Sequence, residues 1–258
     1  MADLGPAVGR LLLAVCAIGA TGAGAQEASR QGHFDVSLSH EFSSGRYGEP
    51  SSTRIQQTTL GLRYRTPTWF AELELPWIQV RDEAGAALPG VAGSSAAAAE
   101  QGLGDAWLKA GIELREADAQ TTGLDLVAKV KTRTGNAARG LGSGGIDYAV
   151  QLEALRPIAG FNVFGHLGWR HTGDVPGARP YRDPFYAEVG ASRKLSPAVE
   201  AGFFVDWRDS VGRLGPQRDA TVYAAYGTGP WRYQVYVSKG FSRASADAAL
   251  GLGVRRRF

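Results

Sequence analysis

From residue 33 to its end the sequence predicts an all-β chain, a transmembrane up-and-down antiparallel β-barrel of the outer-membrane type with about twelve strands. Three observations predict it. Apolar and polar residues alternate with a period of two, the strand signature, because successive side chains leave the backbone on opposite faces. The connections alternate between long and short. Aromatic residues sit at both ends of the apolar faces.

The first 25 residues precede this pattern and read as a secretory signal peptide. Arg10 supplies the positive charge, residues 11–18 are an unbroken apolar run, and small residues lead to Ala23, Gly24 and Ala25, an A-x-A type of cleavage site. The mature chain then starts at Gln26, and residues 26–32 form a short periplasmic segment placed to plug the mouth of the barrel that follows over 33–258. Cys16 is the single cysteine and falls inside the signal, so the mature chain has none, which suits an oxidising compartment.

The strands follow in order. Phe34, Val36 and Leu38 oppose Asp35, Ser37 and Ser39; Leu60, Leu62 and Tyr64 oppose Gly61, Arg63 and Arg65. Trp69, Ala71, Leu73, Leu75 and Trp77 oppose Phe70, Glu72 and Glu74. Ala106, Leu108, Ala110, Ile112 and Leu114 oppose Asp105, Trp107, Lys109, Gly111 and Glu113. Leu124, Leu126, Ala128 and Val130 oppose Asp125, Lys129 and Lys131; Ile146, Tyr148, Val150 and Leu152 oppose Asp147, Gln151 and Glu153. Phe161, Val163, Leu167 and Trp169 oppose Asn162, His166 and Arg170; Phe185, Ala187, Val189 and Ala191 oppose Tyr186, Glu188, Ser192 and Lys194. Val199, Ala201, Phe203, Val205 and Trp207 oppose Glu200, Asp206 and Arg208. The last three carry Val222, Ala224 and Tyr226, then Trp231, Tyr233, Val235 and Val237, then Leu250, Leu252, Val254 and Phe258.

A soluble sandwich also alternates, so the remaining signals decide. The long links are 43–53, 82–101, 134–144, 173–183 and 210–218; the short ones lie near Thr66 and Pro67, at 115–121, 156–160 and 195–197, and at 228–230. Outer-membrane barrels pair short periplasmic turns with longer outer loops in this way. Trp69 and Trp77 are eight residues apart, as are Phe161 and Trp169. At ~3.3 Å per residue and a tilt of about 40°, that spans roughly 20 Å of height, close to the separation of two aromatic girdles. The final strand ends in Phe258, which resembles the signal read by the outer-membrane assembly machinery. Arg256 departs from that pattern on the lipid-facing side, and so belongs at the membrane edge, where an Arg costs only about 0–1 kcal/mol.

Composition excludes several other classes. With 258 residues, 44% hydrophobic and 21% charged, the chain is too apolar for disorder. The 35 glycines carry no Gly-x-y period, which excludes collagen. A net charge of +3 falls short of a nucleic-acid binder, so no nucleic-acid partner is expected. A single cysteine excludes a disulfide framework and a thiolate metal cluster. No run of 18 apolar residues follows the N-terminus, which excludes a helical membrane protein.

Three stretches carry a family resemblance. GLGDAWLKAGIEL (102–114), LDLVAKVKTRTG (124–135) and GLGSGGIDYAVQLEA (140–154) resemble the outer-membrane transporter-like family labelled "MetA-pathway of phenol degradation". Residues 102–105 match a Gly-Leu-Gly-Asp strand opening. Thr134 and Gly135 match a later turn, with Arg133 where the family usually has Pro. Gly142, Gly144 and Asp147 approximate a third element. The resemblance implies a barrel in the outer membrane and passage of small, aromatic or apolar molecules.

The polar face supplies the candidate site: Glu72, Glu74, Lys109, Lys129, Lys131, Asp147, His166, Arg170 and Glu188 are expected to line the lumen. Both signs are present, which favours mutual neutralisation and a narrow passage, since about twelve strands enclose less space than the 16–18 of open porins. Gly140, Gly142 and Gly145 satisfy a dinucleotide fingerprint as a string, but a strand follows instead of a helix and no acid lies near residue 165, so a flexible outer loop is expected there and no cofactor. His33, His40, His166 and His171 lack metal-ligand spacing. Ser39 and His40 suggest a rim hydrolase, yet neighbours in a strand point to opposite faces. The expected function is therefore passive passage of small solutes, without catalysis, through a barrel embedded in membrane lipid. The rival readings are a filled barrel that anchors surface-binding loops and, behind it, the hydrolase.

Overall fold

The structure, a computed structural model, describes residues 32–47, 51–82, 99–174, 181–211 and 215–258. The expected signal peptide (1–25), residues 26–31 and residues 83–98 of the long second link lie outside the described residues. The described chain forms one antiparallel sheet: β1 (His33–Gly45), β2 (Thr53–Arg65), β3 (Trp69–Asp82), β4 (Glu100–Leu103), β5 (Trp107–Arg115), β6 (Gly123–Lys131), β7 (Asp147–Ile158), β8 (Phe161–His171), β9 (Phe185–Lys194), β10 (Val199–Arg208), β11 (Gln217–Thr228), β12 (Trp231–Gly240) and β13 (Ala248–Arg257). Each strand pairs with its sequence neighbours, and β1 pairs with both β2 and β13, closing the sheet on itself. Closure leaves no unpaired edge, the condition a strand structure must meet inside a bilayer.

The wall has twelve strand positions, because β4 and β5 share one. β3 pairs with β4 through Trp77 to Val80 and with β5 through Trp69 to Glu74. The break at 104–106 faces Pro76. Proline has no N–H to give a ladder; its carbonyl instead accepts the Gly104 N–H at 2.8 Å. Ala106, expected on the outward apolar series, is buried, and its N–H donates to Thr134 Oγ1 at 2.8 Å. The outward run therefore starts at Leu108.

The period of two sorts the faces. Leu38, Leu60, Leu108, Leu152, Leu167, Val189, Phe203, Val222 and Leu252 are all exposed, and every long strand contributes to the same outer band. A soluble monomer rarely shows an apolar patch beyond a few hundred Å². Here the greasy residues neither meet each other between two sheets nor lie under helices, so the sandwich reading is excluded. Trp69, Trp77, Phe161 and Trp169 are likewise exposed on that band. Arg256 is exposed at its edge, its guanidinium over the rings of Trp231 (5.2 Å) and Phe258 (4.5 Å).

All the short links lie at one end, which also holds both ends of the barrel chain: Phe258 N–H donates to the Phe34 carbonyl at 2.8 Å. The β7–β8 turn is Ala159 (φ 50) and Gly160 (φ 82), the two positive φ angles of a tight hairpin turn. The long links lie at the other end and include 241–247 between β12 and β13, which sequence reading did not count among them. There Tyr47, Leu141 and Ala246 from three links pack on Ile55, Ile78 and Val80 of the inner wall. In the 140–145 segment Gly140 and Gly144 take positive φ (71 and 78), and Leu141 between them is buried at 2% exposure.

Candidate functional site: the barrel interior

Inward side chains of the middle strands meet at positions set by the register. Arg63 on β2, Glu72 on β3, Lys109 on β5 and Lys129 on β6 are successive cross-strand partners. Opposite charges on adjacent strands can therefore pair: Arg63 Nε lies 3.6 Å from Glu72, and Lys109 bridges Glu72 (3.8 Å) and Glu74. Lys129, whose neighbour Lys109 has the same sign, donates instead to Gln151, which also accepts from Tyr186 Oη at 3.0 Å and donates to Glu153.

A second row runs across six strands: Asp125, Glu153, His166, Glu188, Asp206 and Asp219 are successive partners on β6 to β11. Like charges side by side on a sheet are unfavourable. His166 interrupts the row, with Nδ1 3.8 Å from Glu188. The interior thus carries a wall of alternating sign over β2 to β6 and an acidic diagonal over β6 to β11.

Lys131 sits higher, between Asp105 (3.3 Å) and Asp147 (3.2 Å), and Arg170 lies 3.8 Å from Asp147. Asp105 is the anchor of the link above. It accepts from the N–H groups of Gly135 (3.0 Å) and Ser143 (2.8 Å). Thr134 Oγ1 donates to the Gly104 carbonyl at 2.9 Å, and a side chain at Gly142 would run into Asp105 and Gly135. The residues that carry the family resemblance, Asp105, Thr134, Gly135, Gly142 and Asp147, therefore form one latch that folds link 132–146 against the interior.

All nine candidate residues point inward, and all but Glu72 and His166 are fully buried. Sequence reading put Phe70 and Tyr186 on the polar face but did not single out the aromatics that share the interior. Phe70, Phe164, Tyr186, Tyr223 and Tyr236 lie opposite Gly111, Gly190, Gly168, Gly202 and Gly251. In each pair a side chain on the glycine would strike the ring, at 2.6 Å for Gly190 against Phe164 and 2.7 Å for Gly202 against Tyr223. Each ring covers the bare backbone beside it, the device by which aromatics shield glycines in sheets. Tyr236 Oη donates to Glu41 at 2.7 Å, which pins its ring.

His40 faces outward, with Nδ1 2.8 Å from Thr58 Oγ1, and Ser39 lies on the other face. Among the described residues no group of three or more His, Cys, Asp or Glu is placed to hold a metal. Beyond the wall, in the β8–β9 link, burial pushes the Asp183 carboxyl up, but the Thr172 N–H (2.9 Å) and the His171 ring (3.1 Å) outweigh it and hold it below its usual value.

No family profile and no curated protein matches the chain. Solved structures do. The COG4313 outer membrane channel from Pseudomonas putida F1 is similar over 88% of this chain and 96% of that one, with 15% identity and a TM-score of 0.64. The KdgM porin, described in complex with oligogalacturonate, is similar over 87% and 99%, with 10% identity and a TM-score of 0.53. The beta domain of the Bordetella autotransporter BrkA is similar over 87% and 98%, with 11% identity and a TM-score of 0.51. This chain has the fold of an outer-membrane β-barrel. At such identities the likeness speaks for fold, and the presence of a translocator barrel beside two channels underlines that.

Proposed function

We propose that the chain is a passive outer-membrane channel for small solutes, and that Glu72, Glu74, Lys109, Lys129, Lys131, Asp147, His166, Arg170 and Glu188 line its path. The observation that supports this most is the interior itself. Charged and polar side chains line much of it, while its aromatic rings cover cross-strand glycines on the wall, with Phe164, Phe204, Tyr223 and Tyr236 gathered in one patch. An interior built only for rigidity is better filled with apolar side chains, since buried ion pairs add little stability over a packed apolar core. The resemblance of the 102–154 region to the phenol-degradation-type family, together with two channels among the fold's neighbours, supports the same reading and extends it to aromatic or apolar solutes. No catalytic role is assigned to any residue.

One observation favours a second reading. Tyr47, Leu141 and Ala246 pack over Ile55, Ile78 and Val80 at the loop end, as a barrel serving only to anchor its loops would require. Planar-bilayer recording separates the two. The channel reading predicts small, discrete conductance steps whose cation-to-anion preference changes in Lys109→Gln and Lys129→Gln. Silent membranes, with no solute flux in liposomes, would establish the anchor.

A further inference from the structure

At the turn end of the barrel a cavity of about 280 Å³ opens among β1, β9, β10, β12 and β13. Four cations line it, Lys194, Arg232, Arg255 and Arg257, against two carboxylates, Asp35 and Glu200. Arg257 is 3.5 Å from Asp35, and Arg232 is 3.2 Å from Glu200, which also accepts from Tyr223 Oη at 3.3 Å. Both carboxylates are thereby engaged. Lys194 and Arg255 have no such partner among the described residues.

The register sharpens the imbalance. Arg232 and Arg255 are direct cross-strand partners, a like-charge placement that works against the fold. Lys194 is the cross-strand partner of Glu200, whose carboxylate has turned to Arg232. The Nε of Arg232 is buried with nothing to donate to. Local rules of this kind are most often broken at functional sites. Pro197 and Pro230, at the two adjoining turns, add apolar surface to the lining.

We propose that this vestibule docks a small organic carboxylate, its anionic head held between Arg255 and Lys194 and its apolar body against Pro197 and Pro230 at the adjoining turns. A guanidinium fork matches a carboxylate in two parallel hydrogen bonds. The space equals about nine waters at ~30 Å³ each, which limits the ligand to a compact molecule. The inference rests on the channel reading only for its purpose: the docked anion is a solute in transit.

Calorimetric titration of the purified full-length chain with benzoate at low salt tests it, with inorganic phosphate as a second arm. Wild-type protein binds benzoate, and phosphate more weakly. The double variant K194Q/R255Q loses about tenfold or more in affinity, while R255K, which keeps the charge but not the fork, loses less. Heat-modifiable gel mobility establishes that each variant is a folded barrel. Absence of benzoate binding to wild type, or equal binding by the double variant, overturns the site; phosphate binding as tight as benzoate overturns its organic character. Wild-type liposome flux of a neutral solute is read separately. Flux without benzoate binding removes the vestibule and leaves the channel, whereas binding without flux of any solute removes the transit role and the channel reading together.

Discussion

At Gly251 the absent side chain shapes the interior. The Tyr236 ring occupies the space a side chain would need, and its hydroxyl reaches Glu41 across β13. Gly251→Val is expected to lift that ring toward the axis. The strain of overpacking costs about 1–3 kcal/mol, readable as a lower urea midpoint, and single-channel conductance falls. Lys131 is the opposite case, a buried cation between two carboxylates. Lys131→Met leaves Asp105 and Asp147 facing each other, a loss of about 3–5 kcal/mol, and trypsin then cuts at Arg133 or Arg139 where it previously did not. The inward direction of Lys131 and Asp147 was legible in the sequence, because alternation fixes the face. Their partnership was not, because cross-strand register is not written in either strand alone. For the same reason the purpose of inward glycines such as Gly251 and Gly202 shows only once the ring opposite each one is known.

The strands and their links differ in how openly the sequence declares them. Alternation located each long strand, since one face meets lipid and the other does not. It ran straight through residue 106, however, because Ala106 and Leu108 keep the period while the backbone breaks. The break is caused by Pro76 on the neighbouring strand, a non-local cause that no local period reports. Pro76→Val is accordingly expected to add amide protection at 104–106 in hydrogen exchange, as the ladder becomes able to continue. The β5–β6 turn supplies a prediction in pH. The N–H groups of Gln120 and Thr121 both donate to Asp118 at 2.7 Å and hold its carboxyl below the usual value. A depressed value in the folded state gives a contribution that is full above the ordinary Asp value of about 3.9 and fades as pH falls through the lower, folded one. NMR titration of Asp118 should therefore give a midpoint below ~3.9, and Asp118→Asn should abolish the step. A midpoint at or above that value would show that the turn exists without its side-chain acceptor.

The whole molecule is a sheet closed on itself, with grease outside and charge within. That arrangement explains why composition resembles a soluble protein: the charged residues are there, but many line an interior and pair across it. Salt-bridged interiors respond to ionic strength where water reaches them, so the cation-to-anion preference of the proposed channel is expected to weaken as salt is raised. The most direct test of the account is spin-label accessibility along β12 in lipid. Labels at Tyr233, Val235 and Val237 should collide with dissolved oxygen from the bilayer, and labels at Gln234 and Ser238 with a water-soluble nickel chelate, alternating residue by residue. Uniform accessibility along the strand, or oxygen contact at Gln234 and Ser238, would contradict it.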